Sequence, residues 1–174
     1  MKATGVVRRI DELGRIVIPK EIRRTLKIKE GTPLEIYSGE DGELLLKKYS
    51  PIFEISTTAE EIVQSIADGT NYSVLVTNME KVIAASGKDK SQYINKPIDS
   101  QIEKLIKARQ TQIVSLTENN CLLFASHLNS FVISPILTAG DVYGSIIIFG
   151  EMSMSETEKL LAKTFATYLA KQIG

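Results

Sequence analysis

The chain has 174 residues, 43% of them hydrophobic, and its 21 basic and 21 acidic side chains leave no net charge. That is enough apolar material for one substantial core or two smaller ones, while the single Cys121 and the single His127 exclude an intrachain disulfide framework and a multi-cysteine zinc site. No run approaches the roughly 18 apolar residues of a membrane span, and the first residues pass straight into a strand pattern without an apolar leader, so a cytoplasmic protein with no membrane partner is expected.

The neutrality is unevenly distributed. The first 34 residues hold nine Lys or Arg against four acidic residues. Residues 2–48 hold eleven basic and eight acidic side chains, leaving ten basic and thirteen acidic for the remainder. A basic head on an acidic body points to two modules, the first of which meets a polyanion.

Residues 4–10 are rich in β-branched side chains, residues 11–14 supply a turn ending in Gly14, and residues 15–18 read as a second strand, together a hairpin. Pro19 ends that strand and suits the first turn of a helix, which the pattern extends over 20–27 before Gly31 and Pro33 close it. A second hairpin follows, 34–37 with 43–48, around the turn 38–42. On the short helix Ile22 and Leu26 are spaced to face inward. Lys20, Arg24 and Lys27, with Arg23 beside them, form an outward cationic stripe.

A charged stripe on a surface helix is by itself an ordinary solvated face. Here arginine is preferred at Arg8, Arg9, Arg15, Arg23 and Arg24, and the nearest carboxylates are only Asp11, Glu12 and Glu21. The planar guanidinium fork suits bidentate contact with phosphate or guanine edges. Arg8 and Arg9 are adjacent, so strand alternation sends them to opposite faces and ranks Arg9 below the other four. Lys2, Lys20 and Lys27 would add phosphate contacts that carry affinity rather than specificity. A module of two hairpins and a short helix buries little apolar surface alone; without cysteine or metal, dimerisation through interleaved hairpins is the expected remedy, and it would present the arginines twice along a duplex.

The stretch TGVVRRIDELGRIVIPKEIRRTLKIKEGTPLEIYSGEDGELLLKKYSP resembles the N-terminal DNA-binding domain of the AbrB family of bacterial transition-state regulators. The resemblance implies a swapped-hairpin β-barrel in which two chains interlace, and double-stranded DNA bound through arginines. The arginines of VRRID, LGR and EIRR fall on Arg8, Arg9, Arg15, Arg23 and Arg24. The whole chain, with its second region, is similar to two-domain regulators of this family from spore-forming bacteria, which implies control of sporulation genes as activator and repressor.

Composition changes after Lys47, Lys48 and Tyr49, setting domains at 1–52 and 53–174. Thr58 with Glu61 fits a capping box, and Ile55, Ala59, Ile62 and Ile66 keep helical spacing as far as Gly69, a helix that either packs in a core or pairs with a two-fold mate. Strands are expected over 72–77 and 82–86 with Asn78 at the turn, and a helix around Ile102, Leu105 and Ile106. Short strands over 113–116 and 122–125 follow. The clearest signal is 131–137, a tight turn at 139–141 and a strand over 142–149, before a final helix capped by Ser155 and Glu158 and reaching Ile173. The fold class is α+β, an antiparallel sheet with flanking helices.

SPILTAGDVYGSIIIFG resembles the central strands of GAF domains, which implies a GAF-like domain for ligand sensing, for assembly, or for both. Residues 86–130 would then cover a pocket beside the sheet, with Tyr93, Cys121, Phe124 and His127 as candidate liners that are equally well read as local packing. Self-association of this domain would join two barrel dimers into a tetramer. No catalytic site, cofactor or metal is expected, since the chain has no glycine-rich phosphate loop, Ser-His-Asp set or zinc-ligand spacing. Two alternatives are an antitoxin-like DNA-binding protein and a GAF-type methionine sulfoxide reductase. The second region is too regularly apolar for an antitoxin's disordered tail, and the reductase cycle uses more thiols than Cys121 provides.

Overall fold

A computed structural model of the chain describes residues 6–49, 52, 55–88, 90–116 and 128–173. The chain divides into two compact units, Met1–Tyr49 and Ser50–Gly174.

In the first unit the turn at 11–14 forms as expected. The Asp11 N–H donates to the Arg15 carbonyl at 3.1 Å and the Gly14 N–H to the Asp11 carbonyl at 3.0 Å. The arms on either side do not become strands: residues 6–10 and 15–18 join no ladder among the described residues. The sequence expectation of a complete hairpin is corrected here for the single chain. A two-stranded ribbon with no surface to bury its apolar side is marginal in water, and these arms keep Val7 88%, Ile10 64% and Val17 72% exposed.

Helix α1 is Lys20–Thr25, with Pro19 at its N-cap and the Pro19 carbonyl accepting from the Arg23 N–H at 3.0 Å. It ends earlier than its sequence pattern. Lys27 takes a left-handed φ of 53°, the Lys27 N–H reaches the Arg24 carbonyl and the Ile28 N–H reaches the Arg23 carbonyl at 2.7 Å, a Schellman termination. Strands β1, Leu34–Ser38, and β2, Leu44–Lys48, pair antiparallel with Ile36 opposite Leu46, around a single 3-10 turn at Glu40–Gly42. No described residue of this unit is buried.

The second unit contrasts with that. Helix α2, Ser56–Gly69, precedes strands β3, Ser73–Thr77, and β4, Val82–Ser86; a short helix α3, Lys90–Tyr93, and helix α4, Ser100–Lys107, lead to β5, Gln112–Ser115. Strands β6, Ser130–Thr138, and β7, Asp141–Phe149, form a long hairpin before α5, Glu156–Ile173. The five strands make one antiparallel sheet in the order β4-β3-β7-β6-β5. Alternation along the strands sorts two cores. Val74, Val132, Ile146 and Ile148 pack with α2 and α5. Leu75, Ile133, Ile147 and Phe149 pack with Tyr93, Ile102 and Ile106 from α3 and α4. This is the expected α+β class with an antiparallel sheet and flanking helices.

The β6–β7 turn forms where the sequence places it. Ala139 and Gly140 both have positive φ, 49° and 85°, between the paired residues Thr138 and Asp141, the type I′ geometry that matches strand twist. Helix α5 carries the expected capping box: the Ser155 N–H donates to Glu158 Oε2 at 2.8 Å and the Thr157 N–H to Ser155 Oγ at 3.2 Å. The capping box expected at Thr58 and Glu61 does not form. Helix α2 starts at Ser56 with Ile55 as its N-cap and no side-chain cap, so Thr58 already sits inside the first turn. Instead Asp99 caps α4, its Oδ1 accepting from the Gln101 and Ile102 N–H groups, each at 2.9 Å. The strand expected over 122–125, together with Lys2, Cys121, Phe124 and His127, lies outside the described residues. Among the described residues no helix is long and apolar enough to cross a membrane.

Candidate nucleic-acid interface

The five arginines singled out by the sequence lie on three successive segments of the first unit, and all five are exposed. Arg8 and Arg9 precede the turn, Arg15 follows it, and Arg23 and Arg24 occupy the last turn of α1.

The turn fixes one of them. Asp11 Oδ1 accepts from the Leu13 N–H at 3.0 Å and the Arg15 N–H at 2.8 Å, while Asp11 Oδ2 accepts from Arg15 Nε at 2.8 Å. Those donors, the Arg15 backbone N–H first and its guanidinium second, hold the Asp11 carboxyl below its usual value. Asp11 is therefore ionised at neutral pH and offsets part of the Arg15 charge. Arg23 is tied differently: its Nε donates to the Ile18 carbonyl at 3.2 Å, linking α1 to the preceding arm and leaving the terminal guanidinium nitrogens for another acceptor. Arg8, Arg9 and Arg24 form no ion pair among the described residues.

Two features of the stripe read from the sequence are corrected. Lys27 leaves the helical face, because the helix has ended and the backbone has turned left-handed there. Leu26, spaced to face inward with the half-buried Ile22, is 51% exposed as the C-cap. The arm carrying Arg8 and Arg9 has no ladder, so the alternation that ranks one above the other does not operate in the single chain. The same unit leaves large apolar side chains uncovered: Leu13, Ile36 and Leu44 are 74%, 66% and 70% exposed.

In the second unit Tyr93 is buried and meets Phe149 edge to face, with ring centroids 5.3 Å apart, which makes it a core residue. An open cavity of this unit lies elsewhere, on the α5 face, and is lined by Arg109, Lys159 and Lys163 among others. The sequence reading missed these three because no local pattern joins a residue after α4 to one face of α5. The i, i+4 spacing of Lys159 and Lys163 is the sequence signal that points to them.

Comparison with known proteins follows the division into units. Residues 54–174 match the family profile described as "Stage V sporulation protein T C-terminal, transcription factor", and residues 7–53 match the one described as "Antidote-toxin recognition MazE, bacterial antitoxin". Stage V sporulation protein T of Bacillus subtilis is 44% identical over 176 residues, covering 99% of each chain. The transition state regulatory protein AbrB of the same organism is 55% identical over 60 residues, 34% of this chain and 62% of AbrB. In fold, the chain is similar to a type II free methionine-R-sulfoxide reductase from Thermoplasma acidophilum, with a TM-score of 0.58 at 14% identity over 71% of this chain and 95% of that one. It is also similar to the cofactor-binding GAF domain of the nutrient sensor CodY from Clostridium difficile, with a TM-score of 0.52 at 16% identity over 71% and 93%. At such identities these two likenesses concern the fold alone, and the fold they share is GAF-like.

Proposed function

The chain belongs to the stage V sporulation protein T family of transcription factors, and from that membership we propose that it is a DNA-binding regulator of sporulation genes, both activating and repressing. The observation that carries the reading is the identity of 44% across 99% of both chains, which includes the arginine-bearing first unit. The physical argument agrees. A unit with no buried residue among those described, with exposed apolar arms and with five exposed arginines, needs a second copy to fold against and a polyanion to meet.

In this reading two first units interlace their hairpin arms, pairing the strands that the single chain leaves unpaired and covering Val7, Ile10 and Val17. The dimer presents Arg8, Arg15, Arg23 and Arg24 twice, with Arg9 as a lesser contributor. Arginine contacts release condensed counterions from the duplex and supply most of the affinity, while those that reach base edges supply selectivity. The GAF-like unit senses a ligand, joins dimers into a tetramer, or does both, and the whole acts in the cytoplasm.

The profile match over 7–53 favours a second reading, an antitoxin-like protein that binds a protein toxin. It is the weaker one, because the second unit packs two apolar cores on opposite faces of a sheet rather than forming a flexible tail. We assign no catalysis: the reductase likeness concerns fold, and the chain's single Cys121 has no second thiol to form a disulfide with. Alkylating Cys121 should leave DNA binding unchanged. Electrophoretic shift of a promoter fragment by the full chain, repeated with Arg23→Ala and Arg24→Ala, tests the proposal. Loss of binding with the oligomer intact supports it, and unchanged binding sinks the arginine assignment.

A further inference from the structure

We propose that the groove between α5 and the β5–β6 edge of the GAF-like unit is a binding site for a small phosphorylated metabolite. The groove has a volume of about 460 Å3 and is lined by Arg109, Gln110, Thr111, Ser134, Pro135 and Leu137 on one wall. The other wall is a single stripe of α5, Lys159, Lys163, Ala166, Thr167 and Ala170. That volume lies within the range of about 300–1,000 Å3 typical of small-molecule sites.

The lining divides into the two parts that such a ligand requires. Ala166, Ala170 and Pro135 give a floor of small apolar side chains that accepts a compact carbon body. Three cations stand around it with no carboxylate among the lining residues. Lys159 is paired with Glu156 at 3.0 Å, so the side chains that converge here carry a net excess of positive charge suited to a dianion. Arg109 is held in place from two directions. Its backbone takes a left-handed φ of 59° directly after α4, and its guanidinium donates to the Gly140 carbonyl in the β6–β7 turn at 2.5 Å. The left-handed residue ends α4, its N–H reaching the Ile106 carbonyl at 3.1 Å, and the guanidinium of this groove-lining side chain keeps further N–H donors beyond the one given to Gly140.

A hydroxyl pair completes the site. Ser134, 1% exposed, lies with its Oγ 2.8 Å from Thr111 Oγ1. Two hydroxyls joined by one hydrogen bond keep one O–H between them for a further acceptor. Thr167 by contrast already donates to the Lys163 carbonyl at 2.8 Å and offers only lone pairs. Cations from α5 and from the segment after α4, one spare O–H in the Ser134–Thr111 pair and an apolar floor match a phosphate ester better than a bare carboxylate, since a phosphate offers more oxygens to such donors. The site belongs to the second unit alone and does not depend on the DNA-binding reading.

The test is calorimetric titration of the full chain with inorganic phosphate and with phenyl phosphate, ionic strength being held constant with chloride. Saturable binding is expected, tighter for phenyl phosphate because of the apolar floor. Lys163→Gln, an exposed helix position that leaves the fold intact, and Arg109→Gln should each weaken it about tenfold or more, the magnitude of one lost charge-assisted hydrogen bond. The double variant Arg23→Ala, Arg24→Ala should bind phenyl phosphate unchanged. Absence of saturable binding, indifference to Lys163→Gln, or loss in the Arg23 and Arg24 variant would each overturn the proposal. Loss of DNA binding leaves it standing.

Discussion

Arg15 and Arg23 show what the structure adds to a list of candidate DNA contacts. The sequence located both by type and spacing, yet the structure ties one to Asp11 and the other to the Ile18 carbonyl. Replacing Arg23 or Arg24 by alanine should weaken duplex binding by about 1–3 kcal/mol if the side chain reaches a base, and should lower the salt dependence by about one unit if it reaches only phosphate; filter binding across a salt series separates the two. Asp11 was legible only as a turn residue, because its pairing with Arg15 depends on the turn's three-dimensional closure. Its depressed pKa means that the turn's stabilisation is fully present above the unfolded carboxyl value and is lost only as pH falls through the lower folded one. DNA binding should therefore show no Asp11 step between pH 5 and 8, values well above the unfolded aspartate pKa of about 3.9. Glu158 follows the same sign. Hydrogen bonds from Ser155 first, and from Tyr72 at 3.0 Å, hold its carboxyl below 4.5. Glu158→Gln should cost about 1 kcal/mol at pH 7, in line with lost helix caps, and the difference from the parent chain should shrink as pH drops below 4.5 toward the folded value. Urea unfolding at the two pH values measures it.

Elements whose signal is local were read well, and those whose boundaries depend on neighbours were not. The β6–β7 hairpin combines β-branched runs with Ala139 and Gly140 at the turn, and Ser155 with Glu158 marks the start of α5. Helix α3 was missed because four residues carry no periodicity. Helix α2 starts earlier than its apparent box because Ile52 and Ile55 are buried in the core and draw the chain in before Thr58. Helix α1 stops at Thr25 although the cationic spacing continues to Lys27, since spacing records side-chain type and not the backbone's left-handed turn. A tertiary constraint with no sequence signature sits at Gly144 in β7. A Cβ there would fall inside van der Waals reach of the Thr77 carbonyl and press on Asn78. Gly144→Ala should therefore separate β3 from β7 locally and destabilise the second unit by about 3 kcal/mol, read as a drop in denaturation midpoint. A midpoint unchanged within error would mean that the two strands tolerate the shift.

The whole molecule joins a unit with no buried residue among those described to one with two cores, and the division into two modules was already visible as a basic head on an acidic body. Both the α+β class and the GAF-like second fold were legible. The five arginines can be named from the sequence as candidates, and what the structure adds is that each is exposed on a single chain whose hairpin arms stay unpaired. The phosphate groove was equally out of reach, since it joins α5 to a residue after α4. If interlaced arms complete the first unit, residues 1–52 alone should be dimeric by light scattering and the full chain tetrameric; a folded monomeric fragment would contradict the interlaced dimer. The central claim, that this chain grips duplex DNA through its arginine face, is tested most directly by titrating the full chain against promoter and random duplexes at several salt concentrations. The account predicts that affinity falls linearly with log salt, with a slope of about −0.9 for each phosphate neutralised, and that promoter DNA is preferred at every salt. A folded oligomer that bound neither duplex, or bound both with no salt dependence, would contradict it.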